Sequence, residues 1–377
     1  MRAHDVVIVG AGIIGGTIAL RLAQEKLRVA LVERNEPGGE ASWAAAGMLS
    51  PVPDSPGAIP LVPFGRASLD LYPQFIEEIE ESSGQRTGYR TEGTIELLFS
   101  ADAERALSTI VALHHGLGLP TEPLPLDEAR RLEPAIGREA TAAALLPYES
   151  SVEPRALMQA VLAASRKSGV EIVSHTAVTG LVTKGSRCTG VIATGKTFQA
   201  AHVVLAAGAF SGELHGIAPR VATKPTRGQM VALRSAGVRL RRVIRSERGY
   251  LVPRNDAAPQ SIVAGSTLED AGFAKCVTLA GLEQILSAAR ELAPALGDAE
   301  IVETWSGLRP DSPDHLPLLG PGAVEGVTIA TGHYRNGILL APITAKLVRE
   351  WIVDRRVSMD WGIFNPQRFS LCIQAAT

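Results

Sequence analysis

The chain has 377 residues, of which 46% are hydrophobic and 20% are charged, and its formal net charge at pH 7 is -2. This charge provides no long-range field to attract nucleic acid or an anionic membrane, so we expect neither as a partner. The composition is that of a globular protein, and the length favours two domains around a shared cleft.

The three cysteines, Cys188, Cys276 and Cys372, lie far apart in the sequence and form no metal-ligand spacing. Their small number favours a reducing compartment, and the sequence predicts no metal site. The apolar segment 6–22 differs from a signal peptide because Asp5 precedes it and glycines interrupt it. No segment reaches the ~18–20 uninterrupted apolar residues of a membrane span. We therefore expect a soluble, cytoplasmic protein.

The first elements in chain order are a strand, a glycine turn, a helix and a second strand. Val6–Val9 is a short β-branched run, Ile13–Gln24 carries apolar residues at helical spacing, and Arg28–Val32 is a second buried strand. One βαβ unit therefore opens the chain. The segment Ser50–Pro63 contains five prolines, which predicts irregular structure near the cleft.

The later elements alternate less regularly. An amphipathic helix is predicted from Phe64 to Ser83, before Gly84, and Pro154 favours the start of a helix that ends before Gly169. The other predicted helices are 101–117, 126–132, 278–293 and 337–353. The other predicted strands are 94–99, 170–174, 178–183, 187–193, 203–206, several antiparallel strands within 223–265, 299–308 and 327–330.

This order of elements predicts an α/β fold in which a Rossmann-like dinucleotide-binding domain is interrupted by an α+β insertion. The second domain is expected to contain an antiparallel sheet and to bind the substrate. We assign residues 1–80, 150–222 and 310–377 to the dinucleotide-binding domain, and residues 81–149 and 223–309 to the substrate-binding domain.

A dinucleotide-binding motif lies directly after the first strand and opens the first helix. Gly10, Gly12 and Gly15 form G-x-G-x-x-G, in which the glycines allow a tight turn, close approach of a pyrophosphate and close packing of helix on strand. Glu33 ends the second strand, where a carboxylate can accept hydrogen bonds from ribose hydroxyls and disfavours a 2′-phosphate. The motif predicts a dinucleotide cofactor but does not separate FAD from NAD.

Five further segments carry a resemblance to a known family. They are GGEASWAAAGMLSP (38–51), VLAAGAFS (204–211), PTRGQM (225–230), SGLRPDSPDHLPLLGP (306–321) and GHYRNGILLAP (332–342). In these segments the chain resembles the D-amino acid oxidase superfamily, and within it the glycine oxidase branch, the ThiO type of thiamine biosynthesis. The resemblance extends over about residues 4–360 and leaves the tail from Ser370 outside.

The resemblance implies non-covalent FAD, held by backbone from both ends of the chain. Cys372 lies beyond the last predicted helix, which disfavours the covalent flavin link found in some relatives. A helix start at residues 336–339 would direct backbone amides at the electron-rich O2 edge of the flavin. The implied cofactor-binding residues are Gly10, Gly12, Ile13, Ile14, Gly15, Glu33, Arg34, Ser42, Ala45, Ala46, Gly47, Met48, Val178, Ala207, Gly208, Arg335, Asn336, Gly337, Ile338 and Leu339.

Arg309 and Tyr250 match the family positions that hold the substrate carboxylate. A guanidinium forms two parallel hydrogen bonds with a carboxylate, and the phenol of Tyr250 would add a third. Two alternatives remain open at this point: Arg309 pairs structurally with Asp311 or Asp314, or Tyr250 is a core aromatic residue.

Three further positions bear on the substrate. Arg335 matches a family position close to the substrate, with ordering of its loop as the alternative. Leu268 falls where the glycine oxidase branch has an apolar pocket wall, and Arg248 stands where a histidine would be expected. The histidines His114, His115 and His202 lie in ordinary helix or strand positions, which predicts surface or core roles.

The resemblance implies oxidative deamination of glycine, or of small amines such as sarcosine or D-alanine, to a 2-oxo acid, ammonia and hydrogen peroxide. The expected partners are therefore the amino acid and dioxygen, and a homotetramer is expected from related enzymes. The alternatives are a sarcosine or N-methyl amino acid oxidase, a D-amino acid dehydrogenase of the same fold, and a non-catalytic FAD-binding module.

Overall fold

The computed structural model describes residues 4–53, 55–214, 220–254 and 259–369. The helices are α1 (Ile13–Gln24), α2 (Ala41–Ala44), α3 (Val62–Ser83), α4 (Ala103–Gly116), α5 (Leu126–Leu132), α6 (Pro154–Lys167), α7 (Leu279–Leu292) and α8 (Gly337–Val353). The strands are β1 (His4–Val9), β2 (Val29–Val32), β3 (Met48–Leu49), β4 (Thr94–Leu98), β5 (Glu122–Pro123), β6 (Ala142–Leu146), β7 (Ser150–Ser151), β8 (Glu171–Val173), β9 (Val178–Lys184), β10 (Arg187–Ala193), β11 (Lys196–Leu205), β12 (Lys224–Ser235), β13 (Val243–Ser246), β14 (Gly249–Pro253), β15 (Gln260–Gly265), β16 (Glu300–Asp311), β17 (Leu318–Pro321) and β18 (Val327–Thr331).

The first sheet has the order β17-β18-β11-β1-β2-β8, and β9 and β10 extend it from β11. Strands β18, β11, β1, β2 and β8 run parallel, while β17 is antiparallel to β18. The centre of the sheet is buried on both faces, which explains why β1 and β2 are continuous apolar runs rather than alternating ones. The carboxyl ends of β1, β2 and β11 therefore meet at one edge, where open α/β sheets bind ligands.

Helices α1, α3, α6 and α8 pack together against this sheet around one apolar core. Two side chains of α3 fix the start of α8: Ser68 Oγ donates to the Leu339 carbonyl and Tyr72 OH donates to the Ile338 carbonyl, each at 2.5 Å. Both donors are fully buried. The position of the α8 N-terminus is therefore set by the core and not by its own loop.

The second sheet has the order β16-β12-β15-β14-β13-β4-β6-β5 and is antiparallel except for the β13–β4 pair. Helix α7 packs on β12, β14 and β15, and the buried side chains between them form a second apolar core. A short third sheet pairs β3 with β7. The long strands β12 and β16 bring the second sheet to the carboxyl edge of the first sheet.

The predicted α/β fold with a second antiparallel sheet is confirmed. The helices Ile13–Gln24 and 337–353 have the predicted ends, and α3 ends before Gly84, whose φ of +75° favours glycine. The prediction of irregular structure over Ser50–Pro63 was too simple, because Pro56–Leu61 forms a 3₁₀ helix that leads into α3. Prolines fit the first turn of such a helix, where no amide donor is needed.

The domain boundaries stay a prediction. The strands of the second sheet fall within residues 94–146 and 224–311, close to the predicted segments. The predicted boundary at 309/310 falls inside β16, however, and the one at 80/81 falls inside α3.

Over the described ranges, none of the helices has both the length and the apolar character needed to cross a membrane. Over the same ranges, no cluster of acidic, histidine or cysteine side chains has the composition of a metal site. Cys372, for which no covalent flavin link is predicted, lies outside the described residues. The other two cysteines are free thiols, and Cys188 is buried whereas Cys276 is exposed.

Candidate active site

An open cavity of about 430 Å³ lies where the two sheets meet. Its walls come from the turn between β1 and α1, the end of β2, the α2–β3 segment, the end of β11, strands β12, β14 and β16, and the start of α8. The lining is mostly apolar, with a few charged and hydroxyl groups, as in small-molecule and cofactor sites.

The glycines of the β1–α1 turn are required by close approach of the backbone. A Cβ on Gly10 would lie 2.4 Å from the Ala206 carbonyl oxygen, and the φ of Gly10 is +101°. A Cβ on Gly15 would lie 1.9 Å from the Gly10 carbonyl oxygen. Gly10 therefore lets the first strand and β11 approach each other, and Gly15 lets α1 pack on the turn.

Glu33 organises the same turn. Its Oε2 accepts a hydrogen bond from the Ala11 amide at 2.9 Å, and its Oε1 accepts one from the Asn35 amide at 3.1 Å. The side chain is buried and lines the cavity. These bonds fix the carboxylate at the end of β2, and the ribose contact expected for it stays a prediction.

Two helix N-termini face the cavity. Helix α1 starts after Gly12, and Ser42 Oγ accepts from the Ile13 amide at 2.8 Å, which ties the α2 segment to the turn. Helix α8 starts after Asn336, and Gly337 and Ile338 line the cavity. Neither first turn contains an acidic residue, so the partial positive charge of both helix ends is directed at the cavity.

Arg309 lines the cavity from β16, beside the segment that leads into α8. Its Nη2 donates to Ser266 Oγ at 2.7 Å, and its Nη1 donates to the carbonyls of Thr267 at 3.1 Å and Arg227 at 3.3 Å. Gly228 makes room for the guanidinium, because a Cβ there would lie 2.2 Å from Nη1. Burial lowers the pKa of Arg309, while the phenol of Tyr250 acts in the opposite direction.

The alternative of a structural ion pair for Arg309 fails, because both candidate carboxylates are engaged elsewhere. Asp311 accepts from Thr226 Oγ1 at 3.0 Å and contacts His315 Nδ1 at 2.7 Å, and Asp314 forms a double hydrogen bond with Arg368 at 2.8 Å. Within the described parts of the chain, Arg309 pairs with no carboxylate.

Tyr250 reaches the cavity from β14. Its hydroxyl donates to Met230 Sδ at 3.3 Å, and Gly265 on the intervening β15 makes room for it, since a Cβ there would lie 2.7 Å from the oxygen. Tyr250 is half-buried and is only at the margin of the apolar cluster around Trp305. The phenol is therefore accessible to a molecule held by Arg309.

A second cavity of about 690 Å³ adjoins the first. The two share Ser266, Arg309 and Arg335, so Arg309 stands between them. Leu268, expected to form an apolar pocket wall, is 62% exposed and lines this outer cavity. Arg248 also lines it, and its Nη1 donates to Glu291 Oε1 at 2.6 Å.

Most residues expected to bind the cofactor line the inner cavity. Gly15, Asn336 and Leu339 are not among the lining residues; Leu339 is buried among apolar side chains and its carbonyl accepts from Ser68. The histidines His114 and His202, expected to be surface or core groups, are both buried. His114 contacts Thr121 and His202 contacts Thr328. The expected residues that line the inner cavity are Gly10, Gly12, Ile13, Ile14, Glu33, Arg34, Ser42, Ala45, Ala46, Gly47, Met48, Val178, Ala207, Gly208, Tyr250, Arg309, Arg335, Gly337 and Ile338.

Sequence reasoning missed several lining residues. Phe210 belongs to VLAAGAFS, and its ring lies 3.3 Å from the Arg34 guanidinium. Met230 and Gly228 belong to PTRGQM, so the quoted segments held a signal for both, whereas Ser266 had none. His333 is buried behind α8, contacts Thr344 Oγ1 at 3.0 Å, and burial lowers its pKa to about 3.

The donors around the cavity fit FAD. The glycine-rich turn and the start of α1 suit a diphosphate, Glu33 at the end of β2 suits a ribose, and the start of α8 suits the electron-rich edge of a flavin ring. Fold and site together define a dinucleotide-dependent oxidoreductase with a second, antiparallel sheet beside the dinucleotide site.

The chain belongs to the DAO family of FAD dependent oxidoreductases, whose family model matches residues 5–351. The glycine oxidase of Pseudomonas aeruginosa is 34% identical to it over 97% of this chain and 99% of that protein. The crystal structure of glycine oxidase from Geobacillus kaustophilus has a TM-score of 0.91 and 32% identity, and covers 98% of this chain and 99% of that one.

A second kind of relative is longer. The bifunctional protein ThiO/ThiG of Synechocystis sp. is 35% identical over 97% of this chain, but the match covers 54% of that protein. The chain spans about half the length of the bifunctional relatives that it matches.

Proposed function

We propose that this protein is a glycine oxidase that uses FAD and dioxygen. The reaction converts glycine, dioxygen and water to glyoxylate, ammonia and hydrogen peroxide. The observation that carries the proposal is Arg309, a cation held in the inner cavity by two carbonyls and a hydroxyl, with no carboxylate partner in the described chain. The 32–34% identity with glycine oxidases over nearly the full chain supports the choice of substrate.

A half-buried cation without a counter-charge is costly, and a bound carboxylate would supply that charge. The planar guanidinium suits a carboxylate because it offers two parallel donors. The phenol of Tyr250 interacts with Arg309 and would donate a further hydrogen bond to the same carboxylate. Together the two side chains would hold an α-amino acid by the group that all amino acids share.

Bound FAD supplies the acceptor for the hydride from the α-carbon and passes the electrons to dioxygen. Arg309 and Tyr250 would fix the carboxylate, so that the α-carbon is held in one orientation and binding replaces a random encounter. The amine must be neutral, because its lone pair forms the C=N bond as hydride leaves the α-carbon. His333 remains neutral at physiological pH because its pKa is about 3, so it adds no positive charge to this end of the cavity.

The apolar lining limits water around the reacting carbon. Met230, Ala44 and Ala46 belong to one apolar cluster on this side of the cavity. Gly307 allows the cluster to close, since a Cβ there would lie 2.4 Å from the Ala44 Cβ. We place the substrate between this cluster and Arg309, and we retain residues 81–149 and 223–309 as the substrate-binding domain.

A role in thiamine biosynthesis is part of the proposal, and the similarity to the bifunctional ThiO/ThiG relatives supports it. The expected homotetramer and the cytoplasmic location are retained as parts of the proposal. Size-exclusion chromatography with light scattering measures the first, and cell fractionation the second.

The test is a substrate panel of glycine, sarcosine, D-alanine and D-proline. Peroxide release measures oxidase activity, and bleaching of the flavin absorbance without oxygen measures reduction by the substrate. A glycine oxidase releases peroxide with glycine at the highest kcat/KM or close to it. Bleaching by glycine without peroxide in air would indicate a dehydrogenase, and no bleaching by any of the four would contradict the proposal.

A further inference from the structure

An irregular segment of the second-sheet side reaches across to the first-sheet side beside the inner cavity. It consists of residues 269–276 between β15 and α7, and we call it the strap. None of its residues is among those that line the cavity, and none has been given a role above. Its contacts nevertheless fall on two cavity-lining residues, Glu40 and Phe210, both of which also contact Arg34.

The base of the strap is anchored to β12. Arg227 and Glu269 exchange two backbone hydrogen bonds at 2.9 and 3.0 Å, and Arg227 Nη2 donates to Glu269 Oε2 at 2.5 Å. Arg227 Nη1 also donates to the Ala274 carbonyl at 3.3 Å and contacts Cys276 Sγ at 2.8 Å. One buried arginine therefore holds both ends of the strap in place.

The tip of the strap stacks on the cavity wall. The Phe273 ring lies 4.8 Å from the Phe210 ring at an interplanar angle of 26°. The Arg34 guanidinium lies 3.3 Å from the centroid of the same Phe210 ring. Two groups cannot occupy one face of a ring at these distances, so Phe210 is sandwiched between Arg34 and Phe273.

An ion pair completes the connection. Lys275 Nζ lies 3.0 Å from Glu40 Oε2, and the other oxygen of Glu40 accepts from Arg34 Nη2, also at 3.0 Å. Lys275, Glu40, Arg34, Phe210 and Phe273 thus form a closed set of contacts. Arg34 follows Glu33 at the end of β2, so this set lies at the end of the cavity where the dinucleotide is expected.

We propose that the strap is a latch for FAD. It joins the two sides of the cavity across the dinucleotide end, so FAD can leave only when the Phe273–Phe210 and Lys275–Glu40 contacts separate. The strap would then set the rate of cofactor release and act on the cofactor without touching it.

The test uses the holoprotein and free FAD fluorescence after dilution, so no amino acid substrate is needed. Phe273→Ala removes the stacked ring and should raise the rate of FAD release roughly tenfold. Lys275→Ala removes an exposed ion pair and should raise it by about fivefold or less. Added salt should speed release from the parent protein but have little effect on Lys275→Ala.

The matched controls separate a latch from a general loss of stability. Leu279→Ala alters a residue that is 84% exposed, just beyond the strap, and should release FAD at the parent rate. Phe273→Tyr and Lys275→Arg retain the contacts and should also match the parent. The thermal midpoint of each apoprotein should change little, because Phe273 and Lys275 are both more than two-fifths exposed.

Release from Phe273→Ala at the parent rate would overturn the proposal, as would equally fast release from Leu279→Ala. A fall in the apoprotein midpoint of Phe273→Ala that accounts for the faster release would also overturn it, because the ring would then be structural only.

Discussion

Two arginines of the second sheet, Arg245 and Arg309, differ in the charge of the groups that surround them. Arg245 on β13 lies between two carboxylates: its guanidinium donates to Glu96 at 2.8 Å and to Glu149 at 3.0 Å. Arg309 on β16 has carbonyls and a hydroxyl around it instead. Burial alone would lower the pKa of both; Glu149 and Glu96 raise that of Arg245, whereas the pKa of Arg309 stays lowered.

The difference separates a structural arginine from a candidate binding arginine. The charge of Arg245 is fully compensated within the fold, and its Ser50 contact also ties the segment after β3 to the second sheet. The charge of Arg309 has no carboxylate partner in the described parts of the chain, and we propose that a ligand in the cavity supplies one. Mutation of Arg245 should therefore reduce the stability of the fold, and mutation of Arg309 should reduce catalysis.

The largest effect is expected for Arg309. Arg309→Ala should lower kcat/KM for glycine roughly 10²–10⁴-fold, since two charge-assisted hydrogen bonds are worth ~1.5–3 kcal/mol each. Arg309→Lys retains the positive charge but loses the two parallel donors of the guanidinium. Its kcat/KM for glycine should therefore lie between those of the parent and of Arg309→Ala. Peroxide release measures the rates, and flavin absorbance verifies that FAD remains bound.

A simple amine without a carboxylate is the control substrate for Arg309, because the substitution should not penalise it. Arg335 lines the same cavity and could replace Arg309 as the carboxylate ligand. The double variant Arg309→Ala/Arg335→Ala is therefore compared with Arg309→Ala. If Arg309→Ala oxidises glycine as well as the parent enzyme with FAD bound, Arg309 is not the carboxylate ligand.

Arg245→Met should lower the free energy of unfolding by about 3–5 kcal/mol, because it leaves the buried Glu149 carboxylate and Glu96 without a cation. Urea unfolding monitored by tryptophan fluorescence measures this change. Combining Arg245→Met with Glu149→Gln should recover part of the loss. An unchanged unfolding midpoint in Arg245→Met would mean that the cluster is not structural.

The surroundings of Arg309 and of Arg245 each have a buried histidine nearby, and the pKa values of these two histidines are affected differently. Burial lowers the pKa of His333, near the active site, to about 3 and also lowers that of His114, near Arg245, where Glu96 opposes the shift. A histidine that is buried in the neutral form binds a proton more readily in the unfolded chain. It therefore has no effect on stability well above its unfolded pKa of about 6.5, and it destabilises the fold as pH falls through that value toward the folded pKa. For His333 the loss should reach about 2 kcal/mol at pH 5.

This pH dependence is measured by urea unfolding between pH 7 and pH 4. His333→Gln removes the titrating group and should flatten the dependence, and His114→Gln should flatten it less. Equal slopes for the parent and His333→Gln would show that His333 does not control acid stability.

The smallest effect is expected for Tyr250→Phe. Removing the hydroxyl deletes one hydrogen bond to the carboxylate, and KM for glycine should rise roughly tenfold with little change in kcat. Steady-state kinetics with glycine measures both. A fall in kcat at unchanged KM would assign Tyr250 a role in the reaction itself and not in binding.

The sequence predicted the elements whose signals are local. The turn Gly10–Gly15 marks the start of α1, and Gly84 marks the end of α3, because each backbone geometry favours glycine. Strand β6 was missed: its sequence AAALL has no β-branched residue, and it is a strand because it pairs with β4.

For the candidate site, the sequence predicted which segments line the cavity but not the contacts of individual side chains. Residues in the five quoted segments line the inner cavity because backbone motifs occupy fixed places in the fold. The environment of a side chain was not predictable: Arg309 and His315 are both near Asp311 in the sequence, and the pairing with His315 forms in a fold where Asp311 also accepts from the distant Thr226. The high exposure of Leu268 was not predictable either, because it depends on the path of the loop after β15.

The walls of the cavity come from opposite ends of the polypeptide. Strand β1 pairs with β11, nearly 200 residues later, and the cavity is completed by Gly337 at the start of α8. A nascent chain on the ribosome therefore carries its glycine-rich turn long before the opposite wall has been synthesised. We expect the flavin to be captured only after α8 has been synthesised, and fragments truncated before α8 to be colourless.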